Sequence, residues 1–128
     1  MTTANDILII EDDELLRDLV AEWLEAAGYR VRVAAEGKAG LAAIHGRPPA
    51  LVVTDIHMPG VGGVAVIAEL RQTRPAIPVI AISGRFRCGQ GLTPEGAIAL
   101  GAARVLCKPF KRNEMVEAVA DLVGPPAP

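Results

Sequence analysis

The amino-acid sequence predicts an α/β protein in which one doubly wound sheet carries five parallel β-strands. Five strand-like runs alternate with five segments of helical periodicity, which is the pattern of repeated β–α units. Four of the runs are continuously apolar, as expected for strands that helices cover on both faces. The run at 29–34 alternates valine with arginine, so we expect it at an edge of the sheet. Right-handed crossovers then favour the strand order 2-1-3-4-5.

Each element has its own local signal. We predict strands at 7–10, 29–34, 51–55, 78–82 and 104–107, and helices at 14–27, 36–45, 64–72, 94–100 and around 115–122. Gly28 is suited to end the first helix, and Thr93-Pro94-Glu95 is typical of a helix start. The spacing of apolar residues predicts the buried face of the first helix at Leu15, Leu16, Leu19, Val20, Trp23, Leu24 and Ala27. The same criterion predicts the buried face of the third helix at Val64, Ile67, Ala68 and Leu70.

Length and composition indicate a single cytoplasmic domain. The chain has 128 residues, of which 51% are hydrophobic and only 3% aromatic, so the core must consist of aliphatic side chains. We expect a domain at 1–124 and a disordered proline-rich tail at 125–128. No apolar run is long enough for a membrane span, and the N-terminus does not resemble a signal peptide. The net charge of −2 argues against nucleic-acid binding.

The two cysteines predict neither a zinc site nor a disulfide. Cys88 and Cys107 are too few for zinc and are expected to stay reduced in the cytoplasm. Cys88 lies in a glycine-rich loop, where its thiol would be exposed. Cys107 lies within an apolar strand, so we expect it to be buried.

Polar residues follow four of the predicted strands at the point where each strand ends. They are Glu11, Asp12 and Asp13 after the first strand, Asp55 at the third, Ser83 at the fourth and Lys108 at the fifth. In a doubly wound sheet these ends meet at one crevice. Taken singly, the acids could cap a turn or a helix, Ser83 could be a turn residue, and Lys108 a surface charge. Their convergence favours a functional site.

The charges at this edge predict a metal site for phosphoryl chemistry. Two carboxylates ~5 Å apart repel by roughly 3 kcal/mol at an effective dielectric of ~20, so clustered acids need a cation. Oxygen ligands without a histidine or cysteine cluster select Mg²⁺ or a similar hard ion. A metal, a lysine and a hydroxyl suit phosphate oxygens. A carboxylate can attack phosphorus, and Asp55 is the most central candidate.

Four motifs resemble the receiver domain of two-component response regulators, which has a flavodoxin-like fold. They are Ile7-Leu8-Ile9-Ile10-Glu11-Asp12-Asp13-Glu14, Thr54-Asp55-Ile56-His57-Met58-Pro59-Gly60, Ala81-Ile82-Ser83-Gly84 and Leu106-Cys107-Lys108-Pro109-Phe110. Their order and spacing match over nearly the whole chain. The resemblance implies that the protein is a signalling switch and that it catalyses only its own phosphorylation and slow dephosphorylation.

The resemblance also implies a role for each site residue. Asp55 would accept a phosphoryl group from a histidine kinase or a histidine phosphotransfer protein. Mg²⁺ would be bound by Asp12, Asp55 and the backbone carbonyl of His57, and by Glu11 through water. Ser83 and Lys108 would hold the phosphoryl oxygens, and the Lys108–Pro109 peptide bond would be cis. The phosphorylated chain, a stand-alone regulator, would then bind an unknown downstream protein.

Three positions depart from the usual pattern of the family. Val105 replaces an aromatic residue that commonly swings inward on activation, Gly62 replaces an acid, and the loop 85–92 is longer and more basic. Because Val105 is short and β-branched, it cannot swing as an aromatic ring would. We therefore expect the loop to undergo the conformational change that follows phosphorylation. We expect His57 and Arg85 to set the lifetime of the phosphorylated state.

Two other functions fit parts of the pattern. A phosphatase of the haloacid-dehalogenase kind also forms an aspartyl phosphate, but it normally needs a second acid two residues after the nucleophile, where this chain has His57. A binding module that kept the fold and lost the chemistry is disfavoured because Asp12, Asp55, Ser83 and Lys108 are all retained.

Overall fold

The structure is a computed structural model, and it describes residues 6–84 and 94–126. The described elements are β1 (Asp6–Ile10), α1 (Glu14–Ala26), β2 (Arg30–Ala34), α2 (Gly37–Gly46), β3 (Leu51–Asp55), α3 (Gly63–Thr73), β4 (Val79–Ser83), α4 (Pro94–Leu100), β5 (Arg104–Cys107) and α5 (Arg112–Val123). All neighbouring strands pair in parallel, in the order β2-β1-β3-β4-β5. The predicted fold class and strand order are therefore confirmed.

The core lies on both faces of the sheet. Side chains of α1 and α5 pack on one face, and side chains of α2, α3 and α4 pack on the other. Every residue of β1, β3 and β4 is buried. The continuous apolar runs predict this for most of each strand, and the polar residues at the strand ends are buried with them. No helix among the described residues is long and apolar enough to cross a membrane.

The prediction that β5 is a buried strand is wrong, and so is the burial of Cys107. Residues Arg104 to Leu106 are half-buried, and Cys107 is exposed. The strand order explains the error, because β5 lies at an edge and pairs with β4 alone. A short apolar run such as Val105-Leu106-Cys107 does not distinguish a central strand from an edge strand.

The edge position of β2 is confirmed, but its faces differ from the simple alternation. Val33 is exposed, whereas Arg32 is half-buried and forms two hydrogen bonds with the carboxylate of Asp6, at 3.2 and 3.0 Å. Asp6 begins β1 and is only 5% exposed. A buried carboxylate needs a partner, so the guanidinium turns inward to meet it.

The buried faces of two helices were predicted only in part. Leu15 and Leu19 of α1 are exposed, as are Val64 and Ala68 of α3. Val66, which the sequence pattern did not single out, is fully buried. Leu15 and Val64 each lie in the first turn of a helix, where residue spacing does not show how far the sheet extends beneath it.

The chain after α5 continues along the turn between α1 and β2. The hydroxyl of Tyr29 donates to the carbonyl oxygen of Gly124 at 2.8 Å, and Pro126 lies against Gly28, whose φ is +108°. The expected disorder at 125–128 stays a prediction, and residues 127–128 lie outside the described part. The expectations for Arg85, Cys88, Thr93 and the output loop also fall on residues that the structure does not describe, apart from Gly84.

Candidate functional site

The parallel sheet brings the ends of four strands to one edge. Asp55 pairs with Ile82 in register, and Ser83 pairs with Cys107. Beyond the last strand residue, the N–H of Lys108 donates to the carbonyl oxygen of Ser83 at 2.9 Å. The sheet therefore fixes the lysine beside the end of β4 and near Asp55.

Three carboxylates meet at this edge. One oxygen from each of Glu11, Asp12 and Asp55 lies within 4.8 Å of the others. Glu11 and Asp55 are 1% and 4% exposed, while Asp12 is exposed. They open on a cavity of about 360 Å³ that is lined by Glu11, Asp12, Asp13, Asp55, His57, Gly84 and Lys108. The predicted convergence of acids is therefore present.

Lys108 links two of these carboxylates. Its Nζ donates to Oδ2 of Asp55 at 3.1 Å and lies 3.6 Å from Oε1 of Glu11. Burial lowers the pKa of Lys108, but the charge of Asp55, the hydrogen bond to it and the charge of Glu11 raise that pKa by more. The ammonium therefore stays charged and offsets part of the repulsion between the acids. The Lys108–Pro109 peptide bond is cis, as the resemblance implies.

Asp55 is held from both sides. The backbone N–H of His57 donates to its Oδ1 at 3.3 Å, while Lys108 occupies Oδ2. The chain turns sharply after this residue, because Gly63 packs against the backbone of Asp55 and donates to the carbonyl of Ile56 at 3.1 Å. Any side chain at Gly63 would overlap that backbone, so glycine permits the tight return.

Glu11 combines deep burial with an unsatisfied oxygen. The N–H of Asp13 donates to its Oε2 at 3.0 Å, but no hydrogen-bond donor among the described residues reaches Oε1. Burial raises the pKa of Glu11 to about 7, and the charge of Asp55 adds to this, against the Asp13 hydrogen bond and Lys108. A metal-bound water would supply the missing donor. The three carboxylates therefore fit a hard cation such as Mg²⁺.

Ser83 and His57 both lie at this edge of the sheet, but their positions alone do not assign their roles. Ser83 is completely buried at the end of β4, one residue before Gly84, which lines the cavity. His57 lines both this cavity and a neighbouring one, and its Nε2 is buried without a hydrogen-bond partner among the described residues. The roles of both residues stay predictions, and Arg85 lies outside the described residues.

Sequence reasoning missed one contact at this site. The guanidinium of Arg17, in the first turn of α1, donates to the carbonyl oxygen of Glu11 at 3.2 Å. The available signal was a cation near a helix N-terminus, where the helix dipole disfavours positive charge.

The chain matches the family model described as the response regulator receiver domain over residues 7–120. Among curated proteins it is 34% identical over 113 residues to an NtrX-like response regulator of Rickettsia typhi, covering 87% of this chain and 23% of that protein. It is 36% identical over 115 residues to the nitrogen assimilation regulatory protein NtrX of Azorhizobium caulinodans, covering 88% and 25% respectively. The chain thus spans about a quarter of the length of these relatives.

A solved structure agrees with the sequence relatives. The receiver domain of NtrX from Brucella abortus superimposes with a TM-score of 0.85 at 35% identity, covering 92% of this chain and 98% of that one. The family match covers almost every described element, and the fold and the acidic edge are those that the motifs predict. This chain belongs to the response regulator receiver domain family of two-component systems.

Proposed function

We propose that this chain is a phospho-accepting switch in which Asp55 takes a phosphoryl group in a Mg²⁺-dependent reaction. The observation that carries the proposal is the grouping of Asp55 with Lys108 at 3.1 Å and with Glu11 and Asp12 within 4.8 Å, in one open cavity. Phosphoryl acceptance is the general function of the receiver family. The acids and the lysine at this edge support its assignment to this chain.

The site residues divide the work of the transfer. An oxygen of Asp55 attacks phosphorus, the phosphorus–nitrogen bond of the donor's phosphohistidine breaks, and the imidazole leaves. Lys108 neutralises charge on the phosphoryl oxygens, and the Ser83 hydroxyl donates a hydrogen bond to one of them. Bound Mg²⁺ supplies further charge neutralisation. Asp12, Asp55 and the carbonyl of His57 would hold the ion directly, and Glu11 would hold it through water.

The proposed donor is a histidine kinase or a histidine phosphotransfer protein, as is general for receivers. Leu15 is 75% exposed in the first turn of α1. It follows the cavity-lining Asp13 by two residues and offers apolar surface to such a donor. The proposed output is a change in the binding surface that a downstream protein recognises. Slow loss of the phosphoryl group to water would return the switch to its resting state.

The proposal is tested by incubation with acetyl phosphate and Mg²⁺, followed by intact-mass measurement. We expect the wild type to gain one phosphoryl group that hydroxylamine removes, as it removes acyl phosphates. Asp55→Asn should gain none, because an amide is a poor nucleophile. Asp18→Asn, which changes an exposed acid on α1, is the matched control and should label like the wild type.

Each outcome separates the candidate functions. Equal labelling of Asp55→Asn would rule out Asp55 as the acceptor. Rapid release of inorganic phosphate with many turnovers would favour the phosphatase alternative. A wild type that never gains mass would favour a module that has lost the chemistry.

A further inference from the structure

Arg17 occupies an unfavourable place for a cation in a helix. It lies in the first turn of α1, where the positive end of the helix dipole repels a guanidinium. None of the ion pairs among the described residues includes it. Its side chain is nevertheless half-buried and directed at the carbonyl oxygen of Glu11, with Nη1 at 3.2 Å. This contact, rather than helix stability, accounts for the position of the guanidinium.

The carbonyl that Arg17 holds belongs to the peptide bond between Glu11 and Asp12. Two of the three clustered carboxylates project from the residues on either side of that bond. Two further polar groups of Glu11 are also held by hydrogen bonds. Its N–H donates to Ala34 at 3.1 Å, and its Oε2 accepts from the N–H of Asp13 at 3.0 Å. Only Oε1 lacks a hydrogen-bond donor among the described residues. Arg17 therefore fixes the peptide bond that joins the two residues from which these carboxylates project.

We infer that Arg17 is a positioning residue for the divalent cation, acting through the Glu11–Asp12 peptide. The inference rests on the proposed function, because it requires that Glu11, Asp12 and Asp55 bind Mg²⁺. A ligand pair that is fixed before the ion arrives loses little conformational freedom on binding. Partners that orient metal ligands typically contribute about 10- to 100-fold to metal affinity.

The positive charge of Arg17 lowers the affinity for Mg²⁺, whereas its hydrogen bond to Glu11 raises it. A guanidinium close to the site repels Mg²⁺, so the loss of the charge alone would tighten metal binding. The loss of the hydrogen bond would weaken it. The sign of the change in affinity therefore distinguishes a positioning residue from a nearby charge.

The test is a calorimetric titration of Mg²⁺ into the wild type, Arg17→Gln, Arg17→Lys and Arg112→Gln. Arg112 is the matched control, because it is an exposed arginine in the first turn of α5, at the same edge of the sheet. We expect Arg17→Gln to bind Mg²⁺ about tenfold more weakly. Arg17→Lys keeps the charge and one donor, so its affinity should fall between those of Arg17→Gln and the wild type. The control should bind like the wild type.

Two further readouts separate positioning from a general structural role. The metal-free melting temperature of Arg17→Gln should stay close to that of the wild type, and a weakened affinity that merely follows a large loss of stability would overturn the inference. Labelling by acetyl phosphate should need more Mg²⁺ for half-saturation but reach the wild-type rate at saturation.

The outcomes also distinguish this inference from the proposed function. If Arg17→Gln and Arg17→Lys both bind Mg²⁺ at least as tightly as the wild type, Arg17 does not position the ligands and the inference is wrong. If the wild type itself does not bind Mg²⁺, the proposed metal dependence fails. If the wild type binds Mg²⁺ and Arg17→Gln binds it with the same affinity, the inference is wrong but the proposed function stands.

Discussion

At the scale of single residues, Glu11 is a carboxyl whose ionisation the metal-free fold opposes. It is 1% exposed, and burial together with the charge of Asp55 raises its pKa from 4.5 to about 7. The unfolded chain has no such burial, so its Glu11 ionises near 4.5. Between these two values the folded protein holds a proton that the unfolded chain has released.

This difference predicts how metal-free stability depends on pH. Below pH 4.5 both states bind the proton, so Glu11 costs nothing. As the pH rises towards about 7, the free energy of unfolding should fall, by on the order of 3 kcal/mol if the full shift applies. Urea denaturation across this range, with a chelator present, measures the effect. Glu11→Gln should remove most of the slope.

The control for this pH dependence is Glu22→Gln, an exposed glutamate on α1. It should retain the slope of the wild type. An equal slope in Glu11→Gln would mean that another group carries the pH dependence.

At the scale of elements, α2 is packed through its glycines. A Cβ at Gly37 would overlap the carbonyl oxygen of Val61, and one at Gly40 would overlap the side chain of Ile10. Gly46, the last residue of the same helix, has nothing within 4 Å of such a Cβ. Val61 belongs to the loop that follows Asp55, so the N-terminal end of α2 also supports the site.

These contacts predict that a glycine-to-alanine substitution destabilises the protein at Gly37 but not at Gly46. Gly37→Ala should lower the free energy of unfolding by about 1–3 kcal/mol, because backbone must move to admit the methyl group. Gly46→Ala should be neutral or raise it by up to about 1 kcal/mol, since alanine has the higher helix propensity. Chemical denaturation of both variants measures the difference. A Gly37→Ala protein as stable as Gly46→Ala would contradict the close packing.

At the scale of the whole molecule, metal binding should stabilise the fold by linkage. An ion that binds only the folded state raises the free energy of unfolding by RT ln(1 + [Mg²⁺]/Kd). Such an ion would also relieve the repulsion among the three acids and allow Glu11 to ionise. We therefore expect the melting temperature of the wild type to rise steadily with Mg²⁺ concentration.

Asp12→Ala tests where the ion binds. This variant lacks the one exposed member of the acid cluster, so it should fold normally and gain much less stability from Mg²⁺. Thermal melts over a series of Mg²⁺ concentrations provide the measurement. If Mg²⁺ stabilises Asp12→Ala as much as the wild type, the ion does not bind at the acid cluster.

The sequence by itself determined the fold class, the strand order and the residues at the ends of the strands. Periodicity within a few residues distinguishes strand from helix, and the covalent chain decides that Asp55 ends β3 and that Lys108 follows β5. Parallel pairing then brings these residues to one edge. For the same reason the acid cluster could be predicted before any distance was known.

Only the tertiary structure decided the contacts between residues far apart in the chain. The bond from Lys108 to Asp55 joins residues 53 positions apart, and the bond from Arg32 to Asp6 joins residues 26 apart. The burial of Glu11 and the exposure of Cys107 likewise depend on which elements lie above each strand end. Local sequence does not show which elements cover a strand end, because those elements are distant in the chain and meet only in the folded protein.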